Sequence, residues 1–185
     1  MPGRLDNDLE LIKKAQRGDS HAFGVLYETH APAIFRYLFA HLDSQMDAED
    51  ITGEVFLKTW QSLPNYIERG VPFLAFLFRI ARNALVDHYR QNNRLVPKDP
   101  DEMDGYQAEE KTGPLELVGY QMEHHKIVEL FNNLRPDYHS VLTLRFISDL
   151  SPEETAQVMN RSVGAIRVLQ HRALAALREE MNKTG

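Results

Sequence analysis

Hydrophobic residues along this chain recur at the three- and four-residue intervals of amphipathic helices. Leu9 and Ile12 begin a first short set, which ends at Gly18. Asp19 is then placed to cap a long helix whose apolar positions continue to Leu38. The sequence contains neither an alternating β-branched run nor an Asn-Gly hairpin signal. The pattern therefore predicts an all-α protein.

The stretch DAEDITGEVFLKTW, residues 47–60, separates into two faces when it is wound into a helix at about 100° per residue. One face collects apolar residues and suits a buried core. The other face is polar and extends to the next residue, and its members are Asp47, Asp50, Glu54 and Gln61. Leu57 lies among these polar residues, where a face exposed only to water would not favour it. A carboxylate face around one leucine is typical of a protein-binding surface, because the acids set orientation and the leucine supplies apolar contact.

Other interpretations of the acidic stretch remain open from the pattern alone. Carboxylates are common near the start of a helix, where the macrodipole favours them. Catalysis by paired carboxylates would need a desolvated cleft, which the outer face of a helix does not provide. For a metal site, His125 and Glu129 are the best-spaced pair, and a single pair is a weak signal. Neither common nucleotide-binding glycine motif occurs. We therefore predict no catalytic residue, no metal site and no cofactor.

The segment that follows Pro72 combines a core stripe with a row of basic residues. Its polar side carries Arg79, Arg82, Asn83 and Arg90. Guanidinium groups that repeat on one helical face suit a phosphate backbone, and an asparagine can add a hydrogen bond to a base or a phosphate. A surface helix with solvated arginines is the alternative, and taken alone it is the more common case.

The loop before this helix, Asn65 to Val71, is polar and contains Tyr66 and Gly70. An aromatic ring in such a loop can hold an unstacked base. The loop could therefore hold an unpaired base against the ring of Tyr66.

The stretch SPEETAQVMNRSVGAIRVLQHRAL carries the signals of a helix-turn-helix. Ser151, a following proline and Glu154 form a capping-box pattern, and a second helix start follows at Ser162. A small residue, a residue that tolerates a left-handed turn and an aliphatic contact then occur at the spacing of this motif. These three residues are Ala156, Asn160 and Ile166.

The second helix of this motif has an exposed side with DNA-binding chemistry. Its residues there are Arg167, Val168, His171 and Arg172. Arg167 is best placed to reach a base edge in the major groove, and Arg172 to reach a phosphate. A helical hairpin without a DNA role is the alternative.

The net charge of −6 is concentrated between these two regions. Residues 1–96 carry 11 Lys and Arg against 12 Asp and Glu, residues 97–120 carry 2 against 7, and residues 121–185 carry 8 against 8. Residues 97–114 of this middle stretch contain three prolines and two glycines and lack apolar periodicity, so they cannot bury enough surface to offset the entropy of ordering. We expect a flexible acidic linker between two small helical domains. Any nucleic-acid binding must then come from local basic rows.

The chain contains no cysteine, which excludes disulfides and thiolate zinc sites within it and fits a reducing cytosol. Its longest apolar run, Val71 to Phe78, falls far short of the roughly 20 residues that span a bilayer. The stretch MPGRLDNDLE contains no apolar signal region. The sequence therefore predicts a cytoplasmic protein without membrane insertion.

Taken together, these motifs resemble those of the extracytoplasmic-function sigma factors, the small two-domain promoter-recognition subunits of bacterial RNA polymerase. DAEDITGEVFLKTW is similar to the polymerase-docking helix of the family, FLAFLFRIARNALVDHYR to its −10 element helix, and the segment from Leu134 to Arg178 to its −35 domain. The resemblance implies sigma region 2 over residues 1–96, a flexible acidic linker over 97–119, and a region 4 helix-turn-helix over 120–185.

The resemblance also implies partners and residue roles. The partners are bacterial core RNA polymerase and promoter DNA, and the family often has an anti-sigma factor as well. The implied polymerase-binding residues are Asp47, Asp50, Glu54, Leu57 and Gln61. The implied contacts to a melted −10 element are Asn65, Tyr66, Phe76, Arg79, Arg82, Asn83 and Arg90. The implied contacts to the −35 element are Ser162, Arg167, Val168, His171 and Arg172.

Two other function classes remain open. A conventional helix-turn-helix regulator would bind an operator as a dimer through residues 121–185, without polymerase. An α-helical enzyme that uses the carboxylates and histidines would show a metal requirement. Neither class explains why an acidic docking face and a row of arginines occur in one small domain.

Overall fold

The computed structural model describes residues 2–42, 44–67, 72–92 and 128–184. All regular elements in these ranges are helices, which confirms the predicted all-α class. In chain order they are α1 (Pro2–Gln16), α2 (Ser20–Phe39), α3 (Gln45–Ser62), α4 (Phe73–Asn92), α5 (Pro136–Leu142), α6 (Pro152–Met159) and α7 (Val163–Thr184). A 3-10 turn (Leu63–Asn65) continues α3, a π turn (Thr143–Ile147) continues α5, and residues 128–132 are also helical. The predicted linker, residues 97–119, lies outside these ranges.

The turn between α1 and α2 has the chemistry predicted from the sequence. Gly18 adopts a φ of 92°, a conformation that a residue without Cβ enters at little cost. The carboxylate of Asp19 accepts hydrogen bonds from the backbone N–H groups of His21 and Ala22 at 3.0 and 3.1 Å. These bonds satisfy two amides that have no partner within the helix, so α2 begins at Ser20.

Helices α1 to α4 enclose the core of the first domain. Leu26 from α2 and Val55 from α3 are completely buried, and burial of each such side chain contributes about 2 kcal/mol. Gln16 closes one end of this core. Its side-chain amide donates to the carbonyl oxygens of Leu63 and Tyr66 at 3.0 and 2.8 Å, which ties α1 to the end of α3.

A buried hydrogen bond between two polar side chains also joins α1 to α2. One carboxylate oxygen of Asp8 lies 3.0 Å from Nε2 of His30, and the two side chains are 8% and 2% exposed. The His30 ring packs edge-on against the ring of Phe73 in α4. The sequence pattern did not reveal this pair, because its members are 22 residues apart and each residue type is common on protein surfaces.

The second domain has the helix-turn-helix geometry predicted from the sequence. The Ser151 hydroxyl accepts from the N–H of Glu154 at 3.1 Å, and the Glu154 carboxylate accepts from the N–H of Ser151 at 2.7 Å. Asn160 ends α6 in a left-handed conformation, with φ 52° and ψ 47°. The Ser162 hydroxyl then accepts a backbone N–H in the first turn of α7, at 3.2 Å. Ile166 is completely buried where the two helices cross.

The two domains pack against each other. Helix α6 lies against α4, and the π turn lies against α2. Buried apolar residues of both domains form one continuous cluster, which includes Leu77 and Phe78 from the first domain and Leu144 and Val158 from the second. His139 in α5 contacts the C-terminal end of α2. The sequence pattern does not indicate how the two domains are arranged.

Candidate functional site

Helix α3 presents the acidic face predicted from the sequence. Its opposite side is buried, since Ala48 and Val55 are fully enclosed. Asp50, Glu54 and Gln61 are exposed, and Leu57 is 56% exposed. Glu54 lies 3.4 Å from the Lys58 ammonium group, a solvent-exposed pair of the kind that contributes little to stability and leaves the carboxylate available to a partner. The face therefore offers carboxylates around an apolar contact.

Asp47 differs from the other members of this face. It is half-buried, and one carboxylate oxygen lies 4.0 Å from Nε2 of His88 in α4. Its backbone N–H is also used locally, because it donates to the Ser44 hydroxyl at 3.2 Å and so caps α3. Asp47 therefore lies at the edge of the face, beside α4.

Three aromatic rings cluster where the loop before α4 begins. The ring centroid of Tyr66 lies 4.7 Å from that of Phe76 and 5.8 Å from that of Phe73. Phe73 is buried, whereas Tyr66 and Phe76 are half-buried and keep part of their surface accessible. Asn65 is exposed in the adjoining 3-10 turn. Residues 68–71 of the predicted base-capturing loop lie outside the described residues.

The row of basic residues on α4 is divided between two environments. Arg79, Asn83 and Arg90 are exposed, as predicted. Arg82, predicted on the same polar side, is half-buried and so less accessible than these three. Burial raises the pKa of Tyr37 in α2 to about 12, and the charge of Arg82 opposes this rise. The row thus presents three exposed polar side chains and one half-buried arginine.

The recognition side of α7 is accessible. Arg167, His171 and Arg172 are exposed, and Val168 is 52% exposed. The guanidinium of Arg167 lies 3.7 Å from a carboxylate oxygen of Glu153 in α6, and both side chains are largely in solvent. An exposed pair of this kind contributes about 1 kcal/mol or less, so it leaves the Arg167 guanidinium available to a binding partner.

Two arginines that sequence reasoning missed hold the helix-turn-helix in place. Arg145 in the π turn donates through Nε to the Gln170 side chain at 3.0 Å, and its Nη1 donates to the carbonyl oxygen of Leu150. Arg161 in the turn lies 2.6 Å from the Asp137 carboxylate of α5. The available signal was the position of both arginines at helix ends, which does not identify partners that are up to 25 residues away.

The described parts of the chain also bear on two other kinds of feature, a metal centre and a membrane span. In those residues, no group of three or more His, Asp or Glu side chains is arranged to hold a metal ion. His125 of the weak ligand pair lies outside them. Among the described helices, none combines the length and the apolarity that crossing a membrane requires.

Comparison with known families matches both halves of the chain. The family described as Sigma-70 region 2 matches residues 26–95, which include α3 and α4. The family described as Sigma-70, region 4 matches residues 124–177, which include the helix-turn-helix. The acidic face and the row of basic residues therefore lie in the region 2 match, and the recognition side of α7 lies in the region 4 match.

Named relatives cover most of the chain. The ECF RNA polymerase sigma factor SigD of Mycobacterium tuberculosis is 34% identical over 98% of this chain and 86% of its own length. ShbA of Streptomyces griseus, another ECF RNA polymerase sigma factor, is 33% identical over 91% of this chain and 92% of its own length. BldN of Streptomyces coelicolor is 33% identical over 91% of this chain, which spans 64% of the length of BldN.

Solved structures share the fold. CnrH, solved in complex with the cytosolic domain of CnrY, aligns with a TM-score of 0.78 over 97% of this chain and 99% of its own, at 23% identity. The sigma factor RpoE of Bartonella quintana, solved with the anti-sigma factor NepR, aligns with a TM-score of 0.62 at 21% identity, over 86% of this chain and 96% of its own. The chain therefore belongs to the extracytoplasmic-function (ECF) sigma factors and directs RNA polymerase to promoters in transcription initiation.

Proposed function

We propose that region 2 of this sigma factor docks onto core RNA polymerase through the acidic face of α3. The observation that carries the proposal is the exposed Leu57 among the carboxylates Asp50 and Glu54, on a helix whose opposite side is buried. A buried backing holds these side chains in fixed positions, so little ordering entropy is lost on binding. Gln61 extends the face by one turn, and Asp47 contributes at its edge.

Region 2 also captures the −10 element in this proposal. Arg79, Asn83 and Arg90 follow the DNA backbone, while the half-exposed rings of Tyr66 and Phe76 provide stacking surfaces for unpaired bases. The exposed Asn65 adds a hydrogen bond beside them. Capture of unpaired bases supplies the free energy for melting, so the step needs no ATP and the chain acts by binding and not by catalysis.

Region 4 reads the −35 element through the N-terminal part of α7. Arg167 contacts a base edge, Val168 and His171 line the groove, and Arg172 contacts a phosphate. Ser162 lies at the helix start, where a free backbone amide or hydroxyl also suits a phosphate. Because both DNA-binding surfaces would be attached to one polymerase, weak individual contacts become effective through high local concentration.

The proposal also covers the cellular compartment of the protein and the partner that regulates it. The protein works in the cytoplasm, where core polymerase and promoter DNA are found. An anti-sigma factor is its inhibitory partner, which is supported by the presence of the anti-sigma factor NepR in the complex of RpoE, a protein of the same fold.

The proposal is tested by co-elution of the purified chain with sigma-free bacterial core RNA polymerase on a sizing column. We expect the wild type to co-elute and the double variant Asp50→Lys with Glu54→Lys to lose binding by at least about 30-fold, because two carboxylate contacts become repulsive. Both positions are exposed, so the fold should be retained.

The matched control is Glu10→Lys with Glu28→Lys. It changes the net charge equally but alters exposed acids on α1 and α2. We expect it to bind as the wild type does. Equal binding by both double variants would contradict the acidic face as the dock, and failure of the wild type with core enzyme from its own organism would favour an operator-binding regulator.

A further inference from the structure

Two imidazole rings stack face to face where the domains meet. His41 follows α2 in the first domain, and His139 lies in α5 of the second. Their ring centroids are 3.9 Å apart and their planes differ by 4°. Both residues are 6% exposed. The stack therefore exists only while the domains are docked.

Hydrogen bonds assign the protons on these rings. Nδ1 of His41 lies 2.8 Å from the carbonyl oxygen of Tyr37, and Nε2 of His139 lies 3.2 Å from the carbonyl oxygen of Ala40. A carbonyl oxygen can only accept, so each of these nitrogens carries the proton. Nε2 of His41 is buried and has no partner in the structure. A second proton there would create a buried charge with no acceptor.

The groups around the pair do not favour a positive charge. Among the residues that the structure describes, the titratable groups that face it are Tyr37 from α2 and Tyr89 from α4, whose hydroxyl donates to the carbonyl oxygen of His41. The charged group is Arg82 of α4. The ring of Phe131 also packs against His139, with 5.2 Å between the ring centroids. These four side chains around the histidine pair are aromatic or cationic.

Burial therefore lowers the pKa of His41 to about 4, and the Arg82 charge acts in the same direction, against the opposing hydrogen bond to Tyr37. Burial, together with the adjacent His41, holds the pKa of His139 well below its usual range. Both rings are neutral in the docked state at pH 7.

We propose that the His41 and His139 stack is a proton-sensitive latch, which holds region 4 against region 2 when both rings are neutral and releases it when either ring is protonated. The docked state binds fewer protons than the separated state between the ordinary imidazole pKa of 6.5 and the lowered value of about 4. Docking is therefore fully favoured above pH 6.5 and weakens as the pH falls below it. The undocking equilibrium should rise by up to about tenfold per pH unit for each histidine.

Release has a consequence that rests on the proposed function. A folded chain of this length measures about 40 Å across when compact, whereas two DNA elements two helical turns apart are separated by about 70 Å. The docked domains therefore cannot contact both promoter elements at once. The domains would have to undock before or during promoter binding. The histidine latch would then determine the free energy that undocking requires.

The latch can be tested without polymerase or DNA, so its failure is distinct from failure of the proposed function. The chain has no cysteine, so Glu28→Cys in α2 and Glu179→Cys in α7 would take a pair of pH-insensitive dyes at two exposed positions only. We expect high energy transfer at pH 7.5 and a progressive loss between pH 6.5 and 5, with an unchanged helical circular dichroism signal. Constant transfer down to pH 5 would overturn the proposal.

The decisive variant is His41→Asn with His139→Gln. The asparagine and glutamine amides keep N–H donors near the positions of Nδ1 and Nε2 but do not titrate. We expect its energy transfer to be independent of pH, while His21→Gln, which removes an exposed histidine of α2, should follow the wild type. A double variant that opens with the wild-type midpoint would overturn the proposal.

The single variant His139→Gln covers the case in which the double variant fails to dock at any pH. It retains one titrating ring, so its undocking should rise by at most about tenfold per pH unit, against up to about 100-fold in the wild type. Equal steepness in both proteins would overturn the latch, whereas the reduced steepness would support it.

Discussion

Single residues at helix ends follow local rules in this protein. Asn160 ends α6 by adopting a left-handed backbone, and Asp19 and Ser151 begin helices by accepting free amide protons. These interactions involve neighbours within a few residues, so the sequence pattern identified all three. The half-burial of Arg82 could not be predicted from its sequence neighbours, because it depends on the packing of α4 beside α2.

At Asn160, we expect substitution by valine to lower the free energy of unfolding by about 1 to 2 kcal/mol, because a β-branched side chain at a φ of 52° meets its own backbone. Asn160→Gly should stay within about 0.5 kcal/mol of the wild type, since glycine accepts this conformation. Denaturant unfolding that monitors helix content would measure both. A valine variant as stable as the glycine variant would show that the turn relaxes.

Whole helices show how one element can have two roles. One side of α3 is buried in the region 2 core and the other presents the acidic face, and the sequence predicted this division because it depends only on helical periodicity. In α7, Ile166 and Ala173 are buried while Arg167 and Val168 face solvent. The division lets a substitution on the exposed side change binding without a loss of packing.

For α7, we expect Arg167→Ala to weaken −35-dependent promoter binding by about 5- to 100-fold, the loss typical of one base-edge contact. Binding to core polymerase should be unchanged, since the acidic face is in the other domain. Transcription from a promoter with and without its −35 element, together with co-elution, would measure the two effects. Arg178→Ala is the matched control, because Arg178 is exposed on the same helix about three turns further on. Equal losses in both variants would indicate a general charge effect instead of base recognition.

At the scale of the whole molecule, the two domains that match the two sigma-70 families pack against each other. Region 2 and region 4 each have their own helices, yet their buried residues form one cluster through α4, α6 and the π turn. That packing places the His41 and His139 stack between domains that the sequence predicted only as separate units. The linker length is relevant here, because 21 residues, 97–117, reach about 70 Å when fully extended.

At this scale, we expect deletion of residues 99–108 to abolish use of promoters that need both elements, because the remaining 11 residues reach only about 36 Å. Core polymerase binding should persist. A glycine and serine replacement of the same ten residues is the matched control and should restore activity if length is the requirement. Activity that stays lost with this replacement would assign the role to the acidic side chains, and full activity of the deletion would contradict the bridging requirement.

The sequence by itself determined the helical class, the buried and exposed faces of α3, the capping box at Ser151 and the left-handed turn at Asn160. Each depends on residues within about one or two helical turns of one another, where backbone geometry fixes the spacing. Only the tertiary structure decided the hydrogen bond between Asp8 and His30, the half-burial of Arg82 and the histidine stack. These contacts join residues that are far apart in the chain, 99 positions apart for His139 and Ala40, and depend on how complete helices pack.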